Sequence, residues 1–298
     1  MTGGWHWFVI IGVLGSLAGF AWLLLANRST SDQPDTGHEW DGIQELDNPL
    51  PLWWVYMFFI SIFFALGYMA LFPGLGNYDG ALGWSSSGKH DAEADAFAAR
   101  FEPIYQELAA LDDEALLDHP QAGQIGRRLF LNNCSTCHGV NAQGADGFPN
   151  LQDSEWIWGS GLAAVSQSIL AGRIAAMPGW VGALKEEGVT EVSHYVLSLS
   201  GAEHDASLAE KGAKHYQLYC VACHQADGSG MAALGAPNLT NDTWLYGGSL
   251  ASIEESVRNG RNGRMPACEE LLGRERSRIL AAYVVGLSQP QQVAQSAP

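Results

Sequence analysis

Two five-residue motifs in this sequence carry residue types that bind a redox cofactor. Both follow the pattern Cys-x-x-Cys-His, with Cys134, Cys137 and His138 in the first and Cys220, Cys223 and His224 in the second. Two thiols three residues apart lie on one helical turn, where each can bond a vinyl group of haem. The histidine that follows then lies under the iron. A lone Cys-x-x-Cys is ambiguous between a redox disulfide and a zinc site, but the added histidine, present twice, indicates two covalently bound c-type haems.

A methionine followed by proline occupies the same place after each motif. Met177 and Met265 lie 43 and 45 residues after the first cysteine of their own motif, which is enough chain to fold back over the other haem face. The proline removes a backbone donor and stiffens this segment. Because the methionines match in position, axial ligation of iron is favoured over ordinary core packing. By default each methionine is expected to serve the haem of its own repeat, although an exchange between the repeats stays open.

The remaining histidines are expected to be surface or satisfied residues, because they have no counterpart in the other repeat: His90, His119, His194, His204 and His215. His215 is the main alternative ligand. Histidine and methionine together fill both axial positions of an iron, so neither haem is expected to bind oxygen or peroxide. We therefore expect no catalytic site on this chain, and the pattern favours an electron carrier.

The sequence around the two motifs repeats internally. Equivalent positions hold matching residues: Gly126 and Gly212, Phe130 and Tyr216, Pro149 and Pro237, Trp156 and Trp244, Gly172 and Gly260, Tyr195 and Tyr283. The two tryptophans are expected to pack near the haem edge. Arg173 and Arg261 either pair with haem propionates or are solvated, and neither alternative is favoured. We predict two domains of one plan at residues 118–202 and 203–290, followed by a flexible tail at 291–298.

The N-terminal part is predicted to be a two-helix membrane anchor at residues 1–72. Trp5 to Ala26 and Leu52 to Phe72 are apolar runs long enough to span a bilayer. A signal peptide is the alternative for the first run, but that run has no basic start and no Ala-x-Ala cleavage site. Residues 73–117 are predicted to form a linker with one or two helices, which either pack on the first haem domain or form a solvated spacer.

Charge and cysteine content restrict the partners and the cross-links. The formal net charge of −17 argues against nucleic acid, whose phosphates would be repelled, and suits a basic protein partner. Four of the five cysteines belong to the haem motifs, which leaves Cys268 without a partner for an intrachain disulfide. Cys268 is expected to be a small buried side chain near the second haem.

Each C-terminal unit resembles a class I cytochrome c, with a helix leading into the haem motif, a methionine loop and a final helix. The whole chain resembles the dihaem subunit III of cbb3-type cytochrome c oxidases. This second resemblance rests on HEWDGIQELDNPLP at 38–51, FPGLGNY at 72–78 and GWSS at 83–86. It implies an all-α fold class, with two N-terminal transmembrane helices followed by two tandem class I cytochrome c domains.

The resemblance also implies a function, partners and an orientation. Such a subunit takes electrons from a small periplasmic cytochrome c or another membrane donor. It passes them through a monohaem c subunit to a haem-copper catalytic subunit that reduces oxygen to water and pumps protons. The implied location is the bacterial inner membrane, in contact with lipid. The haem domains and the N-terminus would lie in the periplasm, and the loop at residues 27–51 in the cytoplasm.

Three other functions share parts of this pattern. A free-standing, membrane-tethered dihaem shuttle of the cytochrome c4 type would carry the same two haems without oxidase partners. A dihaem peroxidase would need one iron with a displaceable ligand, which two intact methionine motifs argue against. An electron-accepting subunit of a dehydrogenase would share the haem pattern but not the anchor and its flanking segments.

Overall fold

The computed structural model describes residues 3–27, 35–45 and 49–288. It is mostly helical, with 62% of residues in helices, which confirms the predicted all-α class. Two small two-stranded sheets, which the sequence did not predict, are added to the helices. The chain forms two compact units that divide between Arg100 and Phe101. The predicted tail at 291–298 and parts of the loop at 27–51 lie outside the described residues.

The first unit contains the two long apolar helices. Helix α1 covers Gly3–Ala26 and helix α2 covers Leu52–Leu71, and both are long and apolar enough to cross a membrane. Their side chains are almost entirely exposed, as expected for helices that lipid or neighbouring helices would cover. The imidazole Nδ1 of His6 accepts a hydrogen bond of 2.9 Å from the amide of Asn77, which follows α2. The start of α1 and the end of α2 therefore lie at the same end of an antiparallel hairpin.

A short β-hairpin occupies the connection between α1 and α2. Its strands are β1 at Glu39–Trp40 and β2 at Ile43–Gln44, which pair antiparallel. Asp41 and Gly42 form the turn with positive φ angles of 50° and 84°. An Asp-Gly pair is typical of two-residue hairpins, since both residues tolerate this backbone region.

The linker after the anchor is helical and its second part is packed. Helix α3 covers Ser86–Ala109 and helix α4 covers Asp113–Leu117. Asp112 caps α4, because its carboxylate accepts a 2.8 Å hydrogen bond from the amide of Ala115. Tyr105, Leu108 and Leu116 are buried in a hydrophobic core with residues of the first repeat. This part of the linker is thus a packing element and not a solvated spacer.

The two repeats have the same order of elements. The first contains α5 (Pro120–Asn133), α6 (Ser135–His138), α7 (Leu162–Ala171), β3 (Arg173–Pro178) and α8 (Val181–Leu199). The second contains α9 (Ala206–Tyr219), α10 (Val221–His224), α11 (Leu250–Asn259), β4 (Gly260–Met265) and α12 (Glu269–Leu287). A 3₁₀ turn at Ala232–Leu234 has no equivalent in the first repeat.

The repeats exchange their final helices. The first core, which contains Phe130 of α5 and Val165 of α7, is completed by α12 of the second repeat. The second core, which contains Tyr216 of α9 and Val257 of α11, is completed by α8 of the first repeat. The aromatic pairs show the same exchange. Phe130 lies 5.8 Å from Tyr283, between ring centroids, and Tyr216 lies 5.0 Å from Tyr195.

Two glycines let the helices cross closely in these cores. A Cβ atom on Gly126 would lie 2.4 Å from the Cβ of Tyr283 and 3.0 Å from the carbonyl oxygen of Ile279. On Gly212 it would lie 2.1 Å from the carbonyl oxygen of Glu191. Real Cβ atoms do not approach this closely, so only glycine fits at either crossing. The glycine repeated eight residues before each haem motif therefore marks a helix crossing.

A two-stranded ribbon joins the repeats where the methionines lie. Strands β3 and β4 pair antiparallel, with Arg173 opposite Met265 and Met177 opposite Arg261. Each methionine thus lies beside the arginine of the other repeat. Each strand leads into a final helix that packs in the other core, so the exchange occurs at this ribbon.

One prediction concerns a strained residue in α8. Lys185 has φ 60° and ψ 174°, and its counterpart in α12 is Gly273 with φ 71° and ψ 177°. This backbone region strongly favours glycine and costs other residues about 1–3 kcal/mol. Lys185→Gly removes this strain, but glycine loses more chain entropy on folding, which offsets part of the gain. The free energy of unfolding should therefore rise by about 1 kcal/mol.

The matched control is Gly273→Ala, where an added Cβ meets nothing closer than 3.7 Å. Because space is available, any loss of stability there reports backbone strain alone, and we expect a loss of about 1–2 kcal/mol. Denaturant unfolding of both variants checks the pair. If Lys185→Gly destabilises the protein, the strain assignment is wrong.

Candidate haem-binding sites

The haem motifs form short helical turns directly after α5 and α9. The amide of Cys134 donates to the carbonyl of Phe130 at 2.8 Å, and that of Cys220 to the carbonyl of Tyr216 at 2.9 Å. The first cysteine of each motif is half-buried in its core, whereas the second is exposed. Burial raises the pKa of the Cys134 and Cys220 thiols to about 11. Each pair of thiols therefore lies at a boundary between the core and an open face.

The histidines of both motifs are oriented in the same way. The ring Nδ1 of His138 lies 3.0 Å from the carbonyl oxygen of Pro149, and that of His224 lies 3.1 Å from the carbonyl oxygen of Pro237. A carbonyl accepts only a donated proton, so Nδ1 carries the hydrogen and Nε2 keeps its lone pair. Burial lowers the pKa of His224, which favours the neutral ring. Both imidazoles can thus offer Nε2 to a metal.

The methionines lie with the motif of the opposite repeat. Met265 packs on the first core together with Cys134, and Met177 packs on the second core together with Cys220. This differs from the default expectation that each methionine serves its own repeat. The reason is the ribbon, which carries each methionine and the helix after it to the other core. The spacing of about 44 residues between cysteine and methionine does not distinguish the two pairings.

Arg173 and Arg261 have a role that neither sequence alternative described. Arg173 lies 5.0 Å from the ring centroid of Trp158 and donates from Nε to the hydroxyl of Ser168 at 2.9 Å. Arg261 repeats this arrangement on Tyr246, at 4.5 Å, and on Ser256, at 2.8 Å. These contacts fix the start of each strand to the preceding helix.

The two aromatic partners of these arginines were missed at the sequence level. Trp158 and Tyr246 are 88 residues apart, which is the same offset as between the two methionines. This offset was a usable signal, although the change of residue type concealed it. Trp156 and Trp244, which the sequence did single out, pack against the first and the second core, in line with a structural role.

His215 agrees with the sequence expectation of a satisfied residue, whereas Cys268 takes a position that differs from it. The Nε2 of His215 lies 3.1 Å from the carboxylate of Glu191, so this ring has a partner within the protein. The amide of Cys268 donates to Ile169 at 3.0 Å, as that of Trp180 does to Val257 at 2.8 Å. Cys268 therefore has a positional counterpart, which is a tryptophan, and it packs on the first core and not the second.

The donor set in each core fits a c-type haem. The first cysteine of one motif and the methionine of the other repeat pack on each core. The second thiol and the imidazole, whose Nδ1 is already hydrogen-bonded, follow that cysteine on the same helical turn. Sulfur and imidazole nitrogen are the usual axial ligands of electron-carrying cytochromes. The pairs of Nδ1 to carbonyl distances agree within 0.1 Å, so the two sites are built alike.

Comparison with known proteins identifies the same regions. The family described as "N-terminal domain of cytochrome oxidase-cbb3, FixP" matches residues 32–79. The family described as "Cytochrome C oxidase, cbb3-type, subunit III" matches residues 121–196 and 207–284, which fall in the two repeats.

Similar proteins cover nearly the full chain. The "Cbb3-type cytochrome c oxidase subunit CcoP" of Rubrivivax gelatinosus is 42% identical over 98% of this chain and 97% of its own length. The subunit CcoP of Cereibacter sphaeroides is 38% identical over 87% of this chain and 96% of its own. The "Cbb3-type cytochrome c oxidase subunit FixP" of a Bradyrhizobium strain is 39% identical, again over 87% and 96%.

A second prediction tests the ribbon. Gly172 has φ 68°, and a Cβ there would lie 2.4 Å from the carbonyl oxygen of Met265. Gly172→Ala should therefore lower the free energy of unfolding by about 2–3 kcal/mol and disturb the segment that holds Met265. The control is Gly182→Ala in the first turn of α8, where the added Cβ meets nothing within 4 Å. Thermal unfolding of the two variants should separate them, and equal stability would contradict the close approach.

Proposed function

We propose a function for this chain from the premise that it belongs to the family of the cbb3-type cytochrome c oxidase subunit III. It is a cytochrome c subunit of such an oxidase, it binds two c-type haems, and its two apolar helices anchor it in a membrane. In this proposal the chain receives electrons from a small periplasmic cytochrome c or a membrane donor. It passes them through a monohaem c subunit to the haem-copper catalytic subunit, which reduces oxygen to water and pumps protons.

The observation that carries the proposal is the complete and matched donor set in each core. We assign Cys134, Cys137 and His138 to the first haem, with Met265 of the other repeat as its second axial ligand. Cys220, Cys223, His224 and Met177 take the corresponding roles for the second haem. Support comes from the two cores, each of which groups the first cysteine of one motif with the methionine of the opposite repeat.

The chain's own residues make the two irons electron carriers and not catalytic centres. When bound, the two haems supply the one-electron chemistry. The carbonyls of Pro149 and Pro237 hold the imidazoles in one orientation. Met265 and Met177 would each supply a thioether to an iron, which would raise its reduction potential and would leave no site for oxygen or peroxide. Because both repeats do this, oxygen reduction belongs to another subunit.

The orientation follows from the anchor and the haem chemistry. The start of α1 and the end of α2 lie at the same end of the hairpin. The haem domains come later in the chain, after the linker helices α3 and α4. Covalent haem attachment implies the periplasmic face of a bacterial inner membrane. The N-terminus and the haem domains would then be periplasmic, and the loop at 27–51 cytoplasmic.

Subunit composition is the experiment that tests the proposal. A membrane complex solubilised with this chain should contain b-type haem, copper and a monohaem c subunit in addition to the two c-type haems. A chain that purifies alone would favour the free-standing shuttle instead. Reduced protein whose spectrum changes strongly with carbon monoxide in the c-type haem bands would favour the dihaem peroxidase, since one iron would then have a displaceable ligand.

A third prediction tests the exchanged ligands. Met265→His should keep both haems covalently attached and lower the reduction potential of one, because the more basic imidazole favours ferric iron. In a full-length chain that carries only the first haem (Cys220→Ala with Cys223→Ala), Met265→His should lower the remaining potential. Met177→His is the matched control and should leave that potential unchanged. The reverse result would show that each methionine serves its own repeat.

A fourth prediction concerns the donor. With a formal charge of −17, the chain should attract a basic cytochrome, so the second-order rate of its reduction by such a donor should fall steeply as ionic strength rises. A small neutral reductant is the control and should show little dependence on salt. Equal salt dependence for both reductants would contradict electrostatic attraction of the donor. Stopped-flow kinetics on the solubilised complex provides the measurement.

A further inference from the structure

A buried carboxylate lies where the exchanged helix α8 crosses α9. Glu191 of α8 is 7% exposed, and its carboxylate lies 3.1 Å from Nε2 of His215 and 3.5 Å from Nζ of Lys211, both on α9. A carboxylate stays ionised in a core only when it is paired, since removing its partners leaves an uncompensated charge. The fit of α8 in the second core therefore depends on these two residues of α9.

The corresponding crossing in the first core is apolar. Gly212 packs against the carbonyl of Glu191 and Gly126 packs against the carbonyl of Ile279, so Ile279 of α12 is the structural equivalent of Glu191. On α5, the equivalent of Lys211 is Ile125 and the equivalent of His215 is Leu129. Both of these apolar residues pack against the first core. Two crossings of the same geometry thus differ completely in polarity.

Two further polar contacts connect α8 to α11. The carboxylate of Glu186 lies 2.9 Å from the guanidinium of Arg258, and the hydroxyl of Thr190 donates to Glu254 at 2.7 Å. The equivalent positions of α7, 88 residues earlier, are Leu170 and Ser166. Neither residue can replace the charge of Arg258 or Glu254. In the first core α8 would therefore lose the ion pair of Glu186, and Thr190 would meet a neutral hydroxyl in place of a carboxylate.

Helix α12 is matched to the first core in the same way. Its Arg278 donates to the backbone carbonyls of Ala109 and Leu111 and to the carboxylate of Asp113, all in the linker helices α3 and α4 or between them. In the second core, Arg278 could meet Glu254, but Arg274 would face the like charge of Arg258 and Ile279 would face His215 and Lys211. The polar residues therefore favour the exchanged arrangement over the unexchanged one.

We propose that Glu191, with His215 and Lys211, is the positioning group that selects which iron receives which methionine. This inference rests on the ligand assignment in the proposed function, since α8 directly follows Met177 and α12 directly follows Met265. Steric fit alone does not choose between two similar cores, because both crossings use a glycine and an aromatic pair. The buried charge breaks this equivalence, since it is paired in only one of the two arrangements.

The test transposes the partners of Glu191 from α9 to α5. The variant I125K/L129H/K211I/H215L leaves α8 and α12 unchanged but moves the lysine and the histidine to the first core. Glu191 is then paired only if α8 packs on α5, and we expect each methionine to serve the haem of its own repeat. Met265→His then reports which haem Met265 serves, by redox titration of chains with both haems and of chains with only the first haem. When the four substitutions are present in a chain with only the first haem, Met265→His should leave the potential of that haem unchanged. Met177→His should lower it.

The parent chain separates this inference from the ligand assignment. If Met265→His fails to lower the potential of the first haem in the parent, the exchanged assignment itself is wrong, and the inference falls with it. If the parent shows the exchange and the transposed variant keeps it, with both haems loaded, the positioning role of Glu191 is overturned. Exposed Glu187 of α8 supplies the matched charge control, and Glu187→Ile should change neither assignment.

A second variant decides the outcome if the transposed chain does not fold. Adding E191I and I279E to the four substitutions moves the complete polar group to the first core, so that the exchanged arrangement is matched again. Recovery of haem content and of the parent assignment in this six-substitution chain would support the inference. Equal loss of haem in both variants would overturn it, because matching the polar group would then have no effect.

Discussion

The β3–β4 ribbon is the constraint on which the rest of the haem region depends. It holds the two methionine segments antiparallel, with Met177 opposite Arg261 and Arg173 opposite Met265, and so sends each final helix into the other core. Neither core is complete within one repeat. Folding of one haem site therefore requires residues of both repeats, and the two repeats form one unit that cannot be divided into two independent domains.

Local geometry explains which features of the chain could be recognised from the sequence. The haem motifs, the methionines and the glycine and aromatic positions were recognisable, because their residue types follow from local geometry and recur at fixed offsets. Membrane helices were recognisable by length and apolar character. The sequence also indicated the family, and the segments at 38–51 and 72–78 that carry this resemblance fall largely within the match to the N-terminal domain at residues 32–79.

The pairing of repeats could not be derived in the same way. Tyr195 packs against Tyr216 in one core and Tyr283 against Phe130 in the other, but either tyrosine suits either partner. Internal symmetry makes exchanged and unexchanged arrangements nearly equal in apolar packing, so periodicity and spacing carry no preference. Cys268 shows the same limit, because its counterpart Trp180 is visible only from the matching amide hydrogen bonds to Ile169 and Val257.

The positions at which the two repeats differ therefore decide between the exchanged and the unexchanged arrangement, which the matching positions do not distinguish. Where the repeats agree, as in the hydrogen bonds from the haem histidines to Pro149 and Pro237, they describe what any such haem site needs. Where they differ, as Glu191 differs from Ile279, they distinguish one core from the other. A buried charge suits this purpose better than a change of apolar shape, because an apolar core can repack around a different side chain, whereas an unpaired buried carboxylate must take up a proton or leave the core. In a chain built from two copies of one unit, buried polar residues that occur in only one copy thus determine which helix packs in which core.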